Sequence, residues 1–155
     1  MRLNGNLAAS CIVLHDNKVL LVRHTYGIAK NKYFVPGGNL QPGELLEQTA
    51  VREVFEETSV RIKIKGLLSV RFAPNSAWFI FLADYVSGTP TSDNRENDSA
   101  LFMDIKEALS SEHVSYTTKV FIRRAIDKDK KIFTLSDYVS TSSPDITREN
   151  WRLYD

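Results

Sequence analysis

The sequence has almost no cysteine, almost no excess of either charge and no long apolar run. Its 155 residues contain one cysteine, Cys11, so no internal disulfide can form. Cys11 sits in the apolar run LAASCIVL with no histidine or cation beside it, which marks a buried packing residue rather than a reactive thiol. Twenty Lys and Arg face nineteen Asp and Glu, a formal net charge of +1. That balance argues against a protein that coats a nucleic-acid polymer, which shows a clear basic excess. A small phosphorylated ligand needs only a local patch. No apolar run approaches the roughly 20 residues that cross a bilayer, and the opening MRLNGNLAAS has no signal-peptide apolar core. No membrane partner is expected, and a cytoplasmic location is the expectation. Repeats and low-complexity linkers are also missing, and the length fits one domain. A chain of this size buries about 68–70% of its unfolded surface and needs no staple.

What is present is a mixed α+β pattern. Residues 7–14 and 19–23 are strand-like runs joined by the turn HDNK, which predicts a hairpin. Residues 24–32 form a polar loop, and Tyr33 to Val35 a short extended piece. The turn PGGNLQPGE follows. Residues 44–58 hold no Gly or Pro and predict a helix. RIKIKGLLSVRF and AWFIFLADYV predict strands. Residues 87–98 read as a loop, ALFM as a short strand, and 104–109 and 116–127 as helices, the last with an apolar face from Val120 through Ile126. Residues 1–130 are expected to form the domain. Residues 131–155 are expected to be a tail, polar but carrying Trp151 and Tyr154, that packs on the domain or on a partner subunit; a homodimer is therefore left open.

The helix over 44–58 poses an electrostatic question. At 100° per residue, Ala50, Val51, Val54, Phe55 and Thr58 form one apolar stripe. Glu53, Glu56 and Glu57 fall on the adjacent arc. Like charges four residues apart repel by a few tenths of a kcal/mol. Anions in the last helical turn oppose the dipole by about 0.3–1 kcal/mol each. The segment holds five Glu and one Arg, Arg52. A glutamate-rich helix is ordinarily a solvated face. Here the acids crowd the wrong end of the dipole and follow a turn rich in Gly and Pro. A cation would resolve the repulsion. Oxygen ligands suit Mg²⁺ or Mn²⁺, and the lack of Cys or His among them disfavours zinc.

These residues resemble the Nudix box. Gly38 is followed after five residues by Glu44, and after seven more by Arg52-Glu53-Val54-Phe55-Glu56-Glu57-Thr58-Ser59-Val60. Every defining position matches except the last glycine, which is Ser59. The preceding hairpin, the PGG opening and the stretch LADYVSG…ENDSALFMDIKEAL fit the same family. The resemblance implies an α/β/α sandwich around a mixed β-sheet. It implies Mg²⁺- or Mn²⁺-dependent hydrolysis of a nucleoside diphosphate linked to another moiety. Glu53, Glu56 and Glu57 match the family's metal-binding glutamates, with a backbone carbonyl near Gly37 or Gly38 as a further ligand. Glu44 and Arg52 match residues that orient those glutamates. The general base is a box glutamate or a later loop acid. Glu96 and Asp98 are the loop candidates, and aligning Phe102 with the family's aromatic favours Glu96. Ser99 stands where the family often has a second glutamate. Ser59 removes no carboxylate and is expected to cost only about 1 kcal/mol if the left-handed helix end persists.

Substrate contacts are less legible. Arg23, His24, Lys30, Lys32 and Arg71 could meet phosphates, though each is more readily read as an ordinary surface charge. Tyr26, Phe72 and Trp78 could stack on a base or pack in the core. Trp78 and Phe79 are strand neighbours and must face opposite ways. His113 has no visible role. A small-molecule nucleotide is the expected partner. ADP-ribose or another nucleotide sugar is the first expectation for substrate and oxidised or ordinary nucleoside triphosphates the second. A non-catalytic nucleotide-sensing domain on the same fold is the alternative.

Overall fold

The computed structural model describes residues 6–27, 29–138, 146–147, 149–150 and 152–155. In chain order they form β1 (Asn6–His15), β2 (Lys18–His24), β3 (Tyr33–Phe34), β4 (Gly37–Asn39), α1 (Leu46–Thr58), β5 (Arg61–Ala73), β6 (Ser76–Ser87), β7 (Asn97–Asp104), α2 (Ile105–Ser110) and α3 (Tyr116–Ile126). The β1–β2 hairpin turns on Asp16 and Asn17, both at positive φ. Short polar residues tolerate that conformation, and its twist matches the flanking strands.

The sheet is mixed. Its order is β3-β2-β1-β6-β5, with β4 also on β1 and β7 also on β2. β1 and β6 run parallel, and the other pairs are antiparallel. β1 meets β2 only near the turn, at Leu14↔Val19 and His15↔Lys18. Farther back, Ala8 to Ser10 pair with β4 instead. The two strands therefore part, and the Gly37–Gly38 turn lies where they separate.

Alternation along β1 splits the core between the two faces of the sheet. Ala9, Cys11 and Val13 pack with Ala50 and Val54 of α1. Ile12 packs with Ile122 and Ala125 of α3. Helices on both faces of a mixed sheet make the α/β/α sandwich that the resemblance implied. Burial pushes the Cys11 thiol far up in pKa, consistent with an inert core residue. Trp78 and Phe79 go to opposite faces, as strand geometry requires. No helix among the described residues is long and apolar enough to cross a membrane.

Several boundaries differ from expectation. α1 starts at Leu46 rather than Glu44, because Glu44 bends back to brace the turn. Its Oε2 accepts from Gln41 N at 3.2 Å and Thr49 Oγ1 at 2.8 Å. β7 begins at Asn97, three residues before ALFM. The expected apolar stripe of α1 is also rotated. Val51 is 38% and Phe55 43% exposed, whereas Thr49, Ala50, Val54, Glu57 and Thr58 are buried. The buried arc centres on positions 50, 54 and 57, which turns Val51 and Phe55 outward. Phe55 lies under the Arg61 guanidinium, 4.7 Å from the ring centroid. On α3 the buried positions are Thr118, Ile122 and Ala125, while Val120 and Ile126 are exposed.

The tail meets the domain. Leu67 and Phe133 exchange backbone hydrogen bonds at 2.8 and 3.1 Å. Thr134 and Asp155 pair likewise at 2.9 and 3.0 Å. Arg152 Nε donates to Glu47 Oε1 at 2.8 Å, and the Tyr154 hydroxyl donates to Glu47 Oε2. Trp151 lies outside the described residues.

Ser59 closes α1 at φ 60°, ψ 12°, the left-handed conformation that glycine adopts at least cost. Its N–H still bonds Phe55 O at 2.8 Å. Ser59→Gly is expected to raise unfolding free energy by about 1 kcal/mol, read from urea denaturation with an unchanged slope. No gain over serine would show that the Ser59 side chain compensates its own strain.

Candidate active site

The site forms where the C-terminal half of α1 meets the Gly37–Gly38 turn. Glu57 is 2% exposed. Its Oε2 accepts from Gly37 N at 2.9 Å, and its Oε1 is buried with no hydrogen-bond partner. Burial pushes its carboxyl up to about 8; the Gly37 N–H opposes the shift, while Glu53, Glu96 and Asp93 add to it. Glu53 is also raised, by burial above all, with Arg52 countering. Glu56 is more exposed and points to the rim.

Glycine is required at the turn by close approach. A Cβ on Gly38 would overlap the Glu53 carboxylate, and one on Gly37 would overlap Ser10. The carbonyl proposed as a ligand thus belongs to backbone packed directly against Glu53.

One arginine answers much of the charge question. Arg52 Nε and Nη2 hold both oxygens of Glu44, at 2.6 and 3.1 Å. Its Nη1 donates to Glu53 Oε1 at 2.8 Å and Glu56 Oε2 at 2.9 Å, and Nη2 also reaches Asn39 O at 3.2 Å. Arg52 lowers the Glu44 carboxyl to about 2. The planar fork is what lets one side chain serve three carboxylates.

The helix end has no cation in its last turn. Two of its last carbonyls are satisfied instead by the loop before β7 and by the first residue of that strand. Thr91 N donates to Thr58 O at 2.9 Å, and Asn97 Nδ2 donates to Glu57 O at 3.1 Å. The same loop carries Glu96, which is exposed and close enough for its charge to raise both Glu53 and Glu57. Asn97 had no signal in the sequence. It is one polar residue among many in SDNREND, and its partner is 40 positions away.

The other candidates disperse. Arg23 is held in a two-bond pair by Asp98, at 2.7 and 3.0 Å, because β2 and β7 are neighbours. That pair accounts for both charges. His24 packs edge-on against Phe34 and Tyr26; burial lowers its pKa, and its Nδ1 is buried without a partner. It feels Glu96 and Asp93, so it borders the acidic cluster. Arg71 lies over the Trp78 ring at 4.8 Å, and Trp78 Nε1 donates to Ser10 Oγ at 2.8 Å. Phe72 is exposed. Tyr33 Oη and Ser99 Oγ are hydrogen-bonded at 3.2 Å. Lys32 Nζ donates to the Glu112 carbonyl at 2.7 Å.

The donors fit a hard divalent cation. They are oxygens only, and Glu57 presents a buried carboxylate oxygen that nothing in the protein satisfies. Among the described residues no three His, Cys, Asp or Glu side chains already converge as a metal cluster. Arg52 Nη1 holds one oxygen each of Glu53 and Glu56, which leaves the second oxygen of each carboxylate outside that pairing.

Comparison with known proteins agrees with this geometry. The chain is 34% identical over 126 residues to "NAD-capped RNA hydrolase NudC" of Vibrio atlanticus (strain LGP32), covering 78% of this chain and 46% of that protein. It is 29% identical over 106 residues to "ADP-ribose pyrophosphatase" of Methanocaldococcus jannaschii, covering 64% and 63%. The chain thus spans less than two thirds of the length of these relatives. Among solved structures, a NUDIX hydrolase from Nitrosomonas europaea superposes with a TM-score of 0.66 at 27% identity, covering 77% of this chain and 87% of that one. Residues 5–124, from the first strand to the last helix and with the whole glutamate cluster between them, match the NUDIX domain, and the chain belongs to that family.

Proposed function

We propose that this chain is a divalent-metal-dependent hydrolase that cleaves the pyrophosphate linkage of a nucleoside diphosphate joined to another moiety. The observation that carries the reading is Glu57: a buried carboxylate with one oxygen unpartnered, beside Glu53, in a site lined with further acids. Such a group is costly without a counter-charge and useful with one. Glu53, Glu56 and Glu57, with the carbonyl at Gly38, would hold Mg²⁺ or Mn²⁺. The ion would offset phosphate charge, polarise a phosphoryl oxygen and acidify a water.

The chain's own residues supply the rest. Arg52 and Glu44 hold the glutamates in place. Glu96 stands exposed at the rim and accepts the proton of the attacking water. His24, which borders the acidic cluster, and Arg71, which lies over the Trp78 ring, are the candidate phosphate contacts, whereas Arg23 acts chiefly through Asp98. ADP-ribose or another nucleotide sugar is the proposed substrate class. The names of both relatives point to ADP-containing pyrophosphates, since NAD, like ADP-ribose, carries an adenosine diphosphate. Nucleoside triphosphates come second.

A hydrolysis screen over ADP-ribose, other nucleotide sugars, NADH, dinucleoside polyphosphates and nucleoside triphosphates, with Mg²⁺ and with EDTA, tests this. Metal-dependent release of a nucleoside monophosphate is the expected result. No turnover of any compound, with one of them still raising the melting temperature, would replace the enzyme with a nucleotide sensor.

A further inference from the structure

Asn97 is 0% exposed, and its Oδ1 is buried without a hydrogen-bond partner. A buried amide with an idle acceptor costs stability, so stability alone does not explain it. Its donor side is engaged: Nδ2 bonds the main-chain carbonyl of Glu57. The loop around it is braced into one body. Asp93 Oδ1 accepts from the N–H groups of Arg95, Glu96 and Asn97 at 2.9, 3.1 and 3.1 Å. Ser92 Oγ donates to Asn97 O at 2.9 Å, and Thr25 N donates to Glu96 O at 3.3 Å. The backbone of Glu96 therefore cannot shift without Asn97, and the Asn97 side chain is fastened to Glu57.

We propose that Asn97 is a positioning residue: its amide ties the loop that carries Glu96 to the helix end that carries Glu57, and so sets where Glu96 meets the attacking water. This rests on the reading of Glu96 as the general base. Two carboxylates brought close together repel when both are charged. A neutral donor on the neighbouring residue holds them near each other where charge alone would part them.

Two double-mutant cycles test it, with kcat, KM and melting temperature measured for Glu96→Gln, Asn97→Leu, Asn97→Asp and each Asn97 variant combined with Glu96→Gln. Glu96→Gln is expected to lower kcat about 100-fold, the scale of general-base loss. Asn97→Leu, close in size and without the idle oxygen, is expected to lower kcat about 30-fold, with KM little changed and melting temperature not reduced in step. Asn97→Asp keeps the shape, loses the donor and is expected to be as slow. Adding Glu96→Gln to either is expected to cost no more than about threefold further, because a misplaced base has little left to lose. Multiplicative losses, or wild-type kcat in Asn97→Asp, would overturn the positioning role while leaving Glu96 as base. Wild-type kcat in Glu96→Gln alone would remove the base and the proposal together.

Discussion

Glu57→Gln is expected to abolish metal-dependent hydrolysis and, in the absence of metal, to make the protein more stable. The loss of turnover is about 10³-fold, since a divalent ion supplies several kcal/mol of transition-state stabilisation and each 1.36 kcal/mol is tenfold. The gain in stability follows from burial. The folded-state carboxyl is raised from 4.5 to about 8, so its contribution is intact below pH 4.5 and is lost as pH rises toward 8. Near pH 7 to 8 the cost is about 3–4 kcal/mol at 1.36 kcal/mol per pH unit. Glutamine keeps the oxygen that accepts from Gly37 N and removes the charge. In EDTA, the wild-type melting temperature should fall between pH 5 and 8 relative to the variant. With Mg²⁺ the order should reverse, because only the wild type gains from the ion. Equal Mg²⁺ stabilisation of both proteins would place the ion elsewhere.

Arg52→Ala is expected to damage both fold and chemistry. It strands Glu44, Glu53 and Glu56 together and frees the Asn39 carbonyl. Breaking a buried ion pair from one side costs about 3–5 kcal/mol; Arg52 and Glu44 each retain 19% exposure, which discounts this to about 2–3 kcal/mol. Hydrolysis should fall about 10–100-fold, as for other groups that orient metal ligands. Glu44 is held down to about 2 in the wild type. Its contribution is therefore present above pH 4.5 and lost as pH falls toward 2. The stability gap between the two proteins should be widest above pH 4.5 and close toward pH 2. Arg52→Lys should recover little, since an ammonium has no planar fork. If lysine restores both urea stability and kcat/KM, charge alone suffices and the fork has no special part.

The Gly38 to Val60 spacing was legible because each position answers a local demand. Gly38 must lack a Cβ beside Glu53, and residue 59 must turn left-handed. The strand runs were legible because β1, β2 and β6 each carry an unbroken apolar run of at least three residues. What escaped were contacts made by topology. The Arg23–Asp98 pair exists because β2 and β7 are neighbours, and their separation of 75 positions hides it. Val51 and Phe55 were misplaced for a different reason. Hydrophobic patterning assigns the buried arc to the greasiest residues, but on α1 a carboxylate, Glu57, takes a buried position. A helix that buries a carboxylate shifts its apolar stripe away from where greasiness alone would place it.

The parallel pairing of β1 with β6 holds a constant offset of 70 positions, from Asn6↔Ser76 to Leu14↔Asp84. β1 is also the partner of β2 and β4. On a ribosome the first strand of this sheet is therefore left half-paired until late, because its long parallel edge waits for residues 76–84. Until then the apolar run from Ala8 to Leu14 has only the hairpin and the short β4 as strand partners, with α1 available to cover one face. Closing a loop of this length before its contacts form is the kind of step that slows folding of non-local topologies. The central position of β1, which lets one strand support the Gly37–Gly38 turn and both layers of helix, leaves the nascent chain with an open sheet edge until β6 has been made.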